Sequence, residues 1–182
     1  MSKNKDFANM AKVFVDLSAR DIDGNLVNFD SLRLTSNNQF GKKAFLIVNV
    51  ASAWGLTKSN YQELVQLHKE FEGQGLWIMG FPCNQFANEE QASNAEISKF
   101  VKNDFGVEFQ MFAKIEVNGP HCHPIYKFLT ANSVLAKDNN QIRDIPWNFA
   151  KFLIDRHGNV VDFFEPEVNP LKLSDQINKL IQ

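Results

Sequence analysis

The chain has 182 residues, 44% of them apolar and 22% charged, and its 19 basic and 21 acidic side chains leave a formal net charge of −2. That balance fits a globular chain, and it excludes both disorder and nucleic-acid binding driven by phosphate neutralisation. No apolar run approaches the ~20 residues that span a bilayer, and two cysteines cannot staple a disulfide scaffold, so a reducing compartment is expected.

Residues 1–7 lack the apolar stretch of a secretory signal, contain no arginine and include Asp6, which points to a cytoplasmic chain. Residues 1–12 read as a tail and 13–182 as one domain, because no repeat, low-complexity tract or Pro/Gly/Ser-rich linker divides them. A chain of this size buries roughly 70% of its unfolded surface, enough for one core without staples.

Residues 13–29 read as a hairpin in which Asp23-Gly24 supplies the positive φ of a tight turn. Residues 35–41 are polar and read as a loop. The continuous apolar run Ala44-Phe-Leu-Ile-Val-Asn-Val50 predicts a strand buried on both faces. A small-residue turn over 51–57 leads into a helix that places Tyr61, Leu64, Val65, His68 and Phe71 on one face and ends near Gly73 or Gly75. Residues 76–81 form a second buried strand, which completes a βαβ unit with parallel strands.

The capping box Ser93-Asn-Ala-Glu96 opens a second helix. Residues 107–117 are extended and apolar, and Pro124 opens a short helix. Residues 147–164 read as two strands about Asp155-Arg-His-Gly-Asn159, and Pro170 begins a last helix whose Leu173, Ile177, Leu180 and Ile181 face the core. A βαβ half followed by a ββα half, behind a hairpin, makes an α/β chain whose outline resembles the thioredoxin-like fold.

Three strings carry chemistry. Asn49-Val-Ala-Ser-x-Trp-Gly55, Phe81-Pro-Cys-Asn-Gln-Phe86 and Trp147-Asn-Phe-x-Lys-Phe-Leu153 closely resemble, in order and spacing, the characteristic segments of glutathione peroxidases. The resemblance runs from about Phe14 to the last helix. It implies a thioredoxin-like fold and the reduction of hydrogen, organic or lipid hydroperoxides by a selenocysteine or cysteine, with glutathione as the reducing co-substrate. No cofactor or metal is implied.

By that resemblance the nucleophile belongs at Trp54, beside a helix N-terminus that favours an anion. Tryptophan offers one N–H donor and does not ionise. Two readings follow. Selenocysteine is inserted at UGA, a codon that some genetic codes and readthrough events decode as tryptophan, or Trp54 was engineered in. Alternatively Trp54 is native, and the chain is a catalytically silent relative acting as a structural or interaction subunit. The resemblance makes Gln85, Trp147 and Asn148 the donors around the nucleophile. Read without it, Gln85 and Asn148 would satisfy loop backbone and Trp147 would be core.

Several positions depart from the family. After Phe86 the usual Gly-x-Gln-Glu-Pro-Gly is here Ala87-Asn-Glu-Glu-Gln-Ala92. Pro146 stands where a basic residue usually precedes the Trp-Asn-Phe string, and Phe163-Phe164 replaces a common Arg-Tyr pair. These changes remove positive charge from the face that would attract anionic glutathione or phospholipid headgroups. Lys99-Phe-Val-Lys-Asn103 offers no second cysteine for an intramolecular disulfide, so an active form needs direct attack by an external thiol. The short stretch over 130–146 resembles the monomeric phospholipid-hydroperoxide type.

Cys83 reads as a small buried hydrophobe or, less simply, as a substitute nucleophile. Adjacent His121, Cys122 and His123 cannot converge on one metal. His68 reads as packed and His157 as solvated. A silent chain would use an exposed Trp54 as a protein-docking anchor, or bind lipid through a rim of Trp54, Trp147 and Phe163.

Overall fold

The computed structural model describes residues 14–32, 42–136 and 141–182; the predicted 35–41 loop and the 1–12 tail lie outside them. A short hairpin comes first, β1 (Ser18–Arg20) against β2 (Leu26–Asn28). Its turn is tied by Asp21, whose Oδ1 accepts from the N–H groups of Asp23 and Asn25, and Gly24 takes the left-handed conformation with φ 93°.

Among the described residues the main sheet has five strands. At its centre, β3 (Ala44–Val50) runs parallel to β4 (Leu76–Pro82) and antiparallel to β6 (Lys151–Asp155). Outside these lie β5 (Gln110–Met111), parallel to β4, and β7 (Val160–Phe164), antiparallel to β6. β5 packs tightly: a Cβ on Gly80 would sit 2.7 Å from the Met111 sulfur, so a side chain at position 80 would have to displace the Met111 thioether.

The apolar run of β3 is explained by two separate cores. Phe45 and Ile47 point to one face, among Phe14, Phe29, Phe112, Tyr126 and Phe152. Leu46, Val48 and Val50 point to the other, with Tyr61, Leu64, Phe71, Ile97 and Ile177. Strict alternation puts every side chain of a central strand into one core or the other.

The second face is covered by α1 (Thr57–Phe71), α2 (Asn94–Phe105) and α4 (Ser174–Ile181), the first by α3 (Pro124–Ala131). The capping box of α2 forms as read: the Ser93 hydroxyl accepts from Glu96 N–H, and the Glu96 carboxylate accepts from Ser93 N–H. The arrangement is thioredoxin-like. Among the described residues no helix is long and apolar enough to cross a membrane.

Two boundaries differ from expectation. Residues 147–150 are a turn, not the start of a strand, because Phe149 adopts φ 60° and breaks the extended run. Pro170–Leu173 is a 3-10 turn, and α4 begins only at Ser174.

Candidate active site

The turn after β3 and the first turn of α1 are locked by one threonine. Thr57 Oγ1 accepts from Trp54 N–H at 3.0 Å and donates to the Ala51 carbonyl at 2.8 Å, while Thr57 N–H donates to the Trp54 carbonyl at 3.0 Å. Residue 54 therefore stands directly before the N-terminus of a 15-residue helix. The Trp54 ring is half-buried and stacks on Phe149, with centroids 5.8 Å apart and planes 19° from parallel. It is not the exposed anchor pictured for a silent chain.

The loop after β4 is tied to this turn. The Glu89 carbonyl accepts from Ser52 N–H (3.2 Å) and Ala53 N–H (3.1 Å). Glu90, fully buried, accepts from Ser52 N–H through its carboxylate. Burial raises the Glu90 carboxyl above its ordinary range, against the opposing pull of Ser52 and of the Lys114 charge. Its other oxygen has no protein partner, and its charge adds to the burial that drives Tyr61 well above the usual phenol range. The loop reverses through Ala87 and Asn88, at φ 51° and 56°, where the family would place glycine at the first.

The turn before β6 closes the third side. Asn49 Nδ2 donates to the Trp147 carbonyl at 2.9 Å, and Phe149 N–H donates to the Asn49 carbonyl at 2.6 Å. Asn148 is buried and donates through Nδ2 to the Glu89 carboxylate at 2.6 Å. Trp147 packs on Phe86, centroids 5.6 Å apart, and keeps 37% of its surface exposed.

Three of the four expected residues thus meet at one end of the sheet: Trp54 against Phe149, Asn148 through Glu89, and Trp147 on Phe86. The Gln85 side chain is tied to residues 117 and 118. Its Oε1 accepts from Val117 N–H (2.7 Å) and Asn118 N–H (3.0 Å), and its Nε2 donates to the Asn118 carbonyl at 2.9 Å. The Gln85 amide pins the 117–118 turn. Phe163 also lies apart: it is buried in the core on the opposite face of the sheet from Phe149, so it forms no rim with Trp54.

The residues 14–130 match the family model described as glutathione peroxidase. The chain belongs to the glutathione peroxidase family. It is 43% identical over 185 residues to the putative glutathione peroxidase 7, chloroplastic, of Arabidopsis thaliana, covering 98% of this chain and 74% of that one. It is likewise 43% identical over 170 residues to the phospholipid hydroperoxide glutathione peroxidase 1, chloroplastic, of the same plant, covering 93% and 67%. Among solved structures, the crystal structure of T. cruzi GPX1 superposes with a TM-score of 0.69 at 31% identity, over 93% of this chain and 97% of that one.

Neither cysteine is an evident substitute for the family nucleophile. Cys83 is buried, and burial raises its thiol. Cys122 is pushed up to about 11, chiefly by burial, and its Sγ donates to the Val117 carbonyl at 3.0 Å. His123 caps α3, accepting from Ile125 N–H through Nδ1. His68 packs edge-on to Phe109, and burial lowers its pKa.

Three residues next to the site escaped the sequence reading. Glu89 and Glu90 were visible only as part of a divergent loop. Lys151, fully buried, donates to the Phe149 carbonyl at 2.6 Å and the Pro166 carbonyl at 3.3 Å. Burial brings its ammonium down to about 8, against the pull of Glu167 and Glu63. A lysine inside an otherwise apolar strand is the signal that marks it.

Proposed function

We propose that this protein reduces hydroperoxides with a small thiol, position 54 carrying the reacting selenium or sulfur. As written, with tryptophan there, the chain has no nucleophile. The reaction needs an ionised selenol or thiol at residue 54 to attack the terminal oxygen of R–OOH. The O–O bond breaks, the alcohol leaves with a proton, and residue 54 becomes a selenenic or sulfenic acid. One thiol then condenses with it, releasing water, and a second thiol displaces the first as a disulfide and returns residue 54 to its reduced form.

The observation that carries this reading is the convergence of family-specific strings on one turn. Residue 54 stands at the α1 N-terminus, where backbone N–H groups and the helix dipole favour an anion. Asn148 lies one hydrogen bond from the residue that holds the 52–53 backbone. Gln85, in this reading, positions the 117–118 turn at the rim. Because α2 carries no cysteine, the oxidised residue is resolved by an external thiol such as glutathione, rather than by an internal disulfide.

Leu56 and Trp147, 39% and 37% exposed, give the rim an apolar character suited to bulky organic or lipid hydroperoxides. The phospholipid hydroperoxide relative agrees with that substrate class. Two unpaired thiols suit a reducing compartment such as the cytosol, and a monomeric chain leaves the rim open.

Trp54→Cys tests the reading. A folded variant should gain glutathione-dependent reduction of an organic hydroperoxide that the tryptophan form lacks, and adding Asn148→Ala should lower its kcat/KM by roughly 10²–10³. A folded Trp54→Cys variant without turnover contradicts it. The stack of Trp54 on Phe149 favours a second reading, a silent family member in which the indole is a native packing element.

A further inference from the structure

We propose that Glu89 is a positioning residue that sets the acidity of a selenol or thiol at position 54, holding that group toward its neutral form. The inference rests on the peroxidase reading of this site and deepens it. Glu89 is gripped from both ends: its backbone carbonyl accepts from Ser52 and Ala53 N–H, and its carboxylate accepts from Asn148 at 2.6 Å. One residue thereby links the turn that presents position 54 to the amide that would serve it, across 59 positions in sequence.

Two consequences follow. The Asn148 Nδ2 is engaged by a carboxylate, and its Oδ1 is buried with no protein partner, so this amide is oriented by Glu89 rather than by residue 54. A carboxylate on the residue whose backbone holds Ser52 and Ala53 also opposes a negative charge at residue 54, which favours a neutral thiol over a thiolate. The helix N-terminus acts in the opposite sense.

The other charged and titratable groups around the turn do not cancel Glu89. On α1, Lys58 is exposed in the first turn, and Tyr61 is buried and held neutral. From the loop after β4, Glu90 adds a second carboxyl, while Lys114 is held by the Ala92 carbonyl at 2.6 Å. From β6, Lys151 is held by the Phe149 and Pro166 carbonyls, with Glu167 and Glu63 acting on it. A selenol is intrinsically more acidic than a thiol and ionises despite the carboxylate. A thiol at the same place ionises to a smaller extent, so it reacts more slowly than selenium there but still reacts. The site is thus tuned for selenium over sulfur at residue 54.

The test is the pH dependence of iodoacetamide alkylation at residue 54, followed by the mass of the residue-54 peptide so that Cys83 and Cys122 do not contribute. Trp54→Cys is compared with Trp54→Cys/Glu89→Gln, in which the amide keeps the shape and the acceptor but loses the charge. The midpoint should fall by roughly one pH unit, with up to about tenfold faster alkylation at neutral pH. An unmoved or raised midpoint overturns the proposal. If Glu89→Gln does not fold, Asn148→Ala in the Trp54→Cys background gives the second reading: the midpoint should rise, and an unchanged or lower value overturns the proposal. Alkylation needs no peroxide turnover. A shifted midpoint without turnover keeps the role of Glu89 and removes the peroxidase reading, while turnover with an unmoved midpoint does the reverse.

Discussion

Two segments close the site from opposite sides of β3: the 147–150 turn, which keeps the family string, and the 83–93 loop, which leaves it after Phe86. Both contain non-glycine residues in the left-handed region, Phe149 in the turn and Ala87 and Asn88 in the loop. They hold that conformation differently. Phe149 is fully buried between the rings of Trp54 and Tyr61, its N–H donating to the Asn49 carbonyl and its own carbonyl accepting from Lys151 Nζ. Ala87 and Asn88 are exposed, and the loop is fixed instead by hydrogen bonds such as that from Asn84 to Asn88 at 3.4 Å and that from Glu90 N–H to Asn84 at 2.9 Å. A strained backbone persists where packing over-determines it, and where it does not, the conformation rests on polar contacts that substitution can relax.

The sharpest way to break this comparison is Phe149→Ala. It removes a buried ring that bridges two aromatic neighbours, and chemical denaturation should show a loss of about 3–5 kcal/mol. A loss below about 1 kcal/mol would mean that burial does not hold the turn. Next is Lys151→Met. The folded value of Lys151, about 8, lies below its ordinary 10.5, so between those pH values the unfolded chain binds the extra proton and stability rises with pH. That rise amounts to on the order of 3 kcal/mol across the window, and melting curves of Lys151→Met should lack it. The smallest effect belongs to the loop. Ala87→Gly should stabilise by ~0.5 kcal/mol, since relief of left-handed strain slightly exceeds the entropy that glycine adds to the unfolded chain. Asn88→Gly should change stability less, because asparagine tolerates this conformation.

Regular elements with strong local signals were legible in the sequence. The run from Ala44 to Val50 has no polar face because both sides of β3 are core, and Ser93 with Glu96 announces the start of α2 through contacts three residues apart. Pro124 and Gly75 likewise mark their boundaries through their own backbone restrictions. The strings around residues 54, 85 and 147 located the site. Its internal wiring was not legible, because it depends on contacts between distant segments. Gln85 finds its partners at Val117 and Asn118, and Glu89 finds Asn148, distances of 32 to 59 positions that no periodicity reports. The apolar look of 147–150 suggested strand, yet the turn at Phe149 is held by Asn49 on β3, far away in sequence, and by the buried Lys151 two residues on.

The central claim is that position 54 carries the reacting chalcogen of a hydroperoxide reductase. The most direct measurement is the mass, with its isotope pattern, of the peptide containing residue 54 in protein purified from its own source, read beside peroxide turnover by the same preparation. Selenium at residue 54 with thiol-dependent turnover is the predicted result. A genuine tryptophan with turnover no greater than background would contradict it.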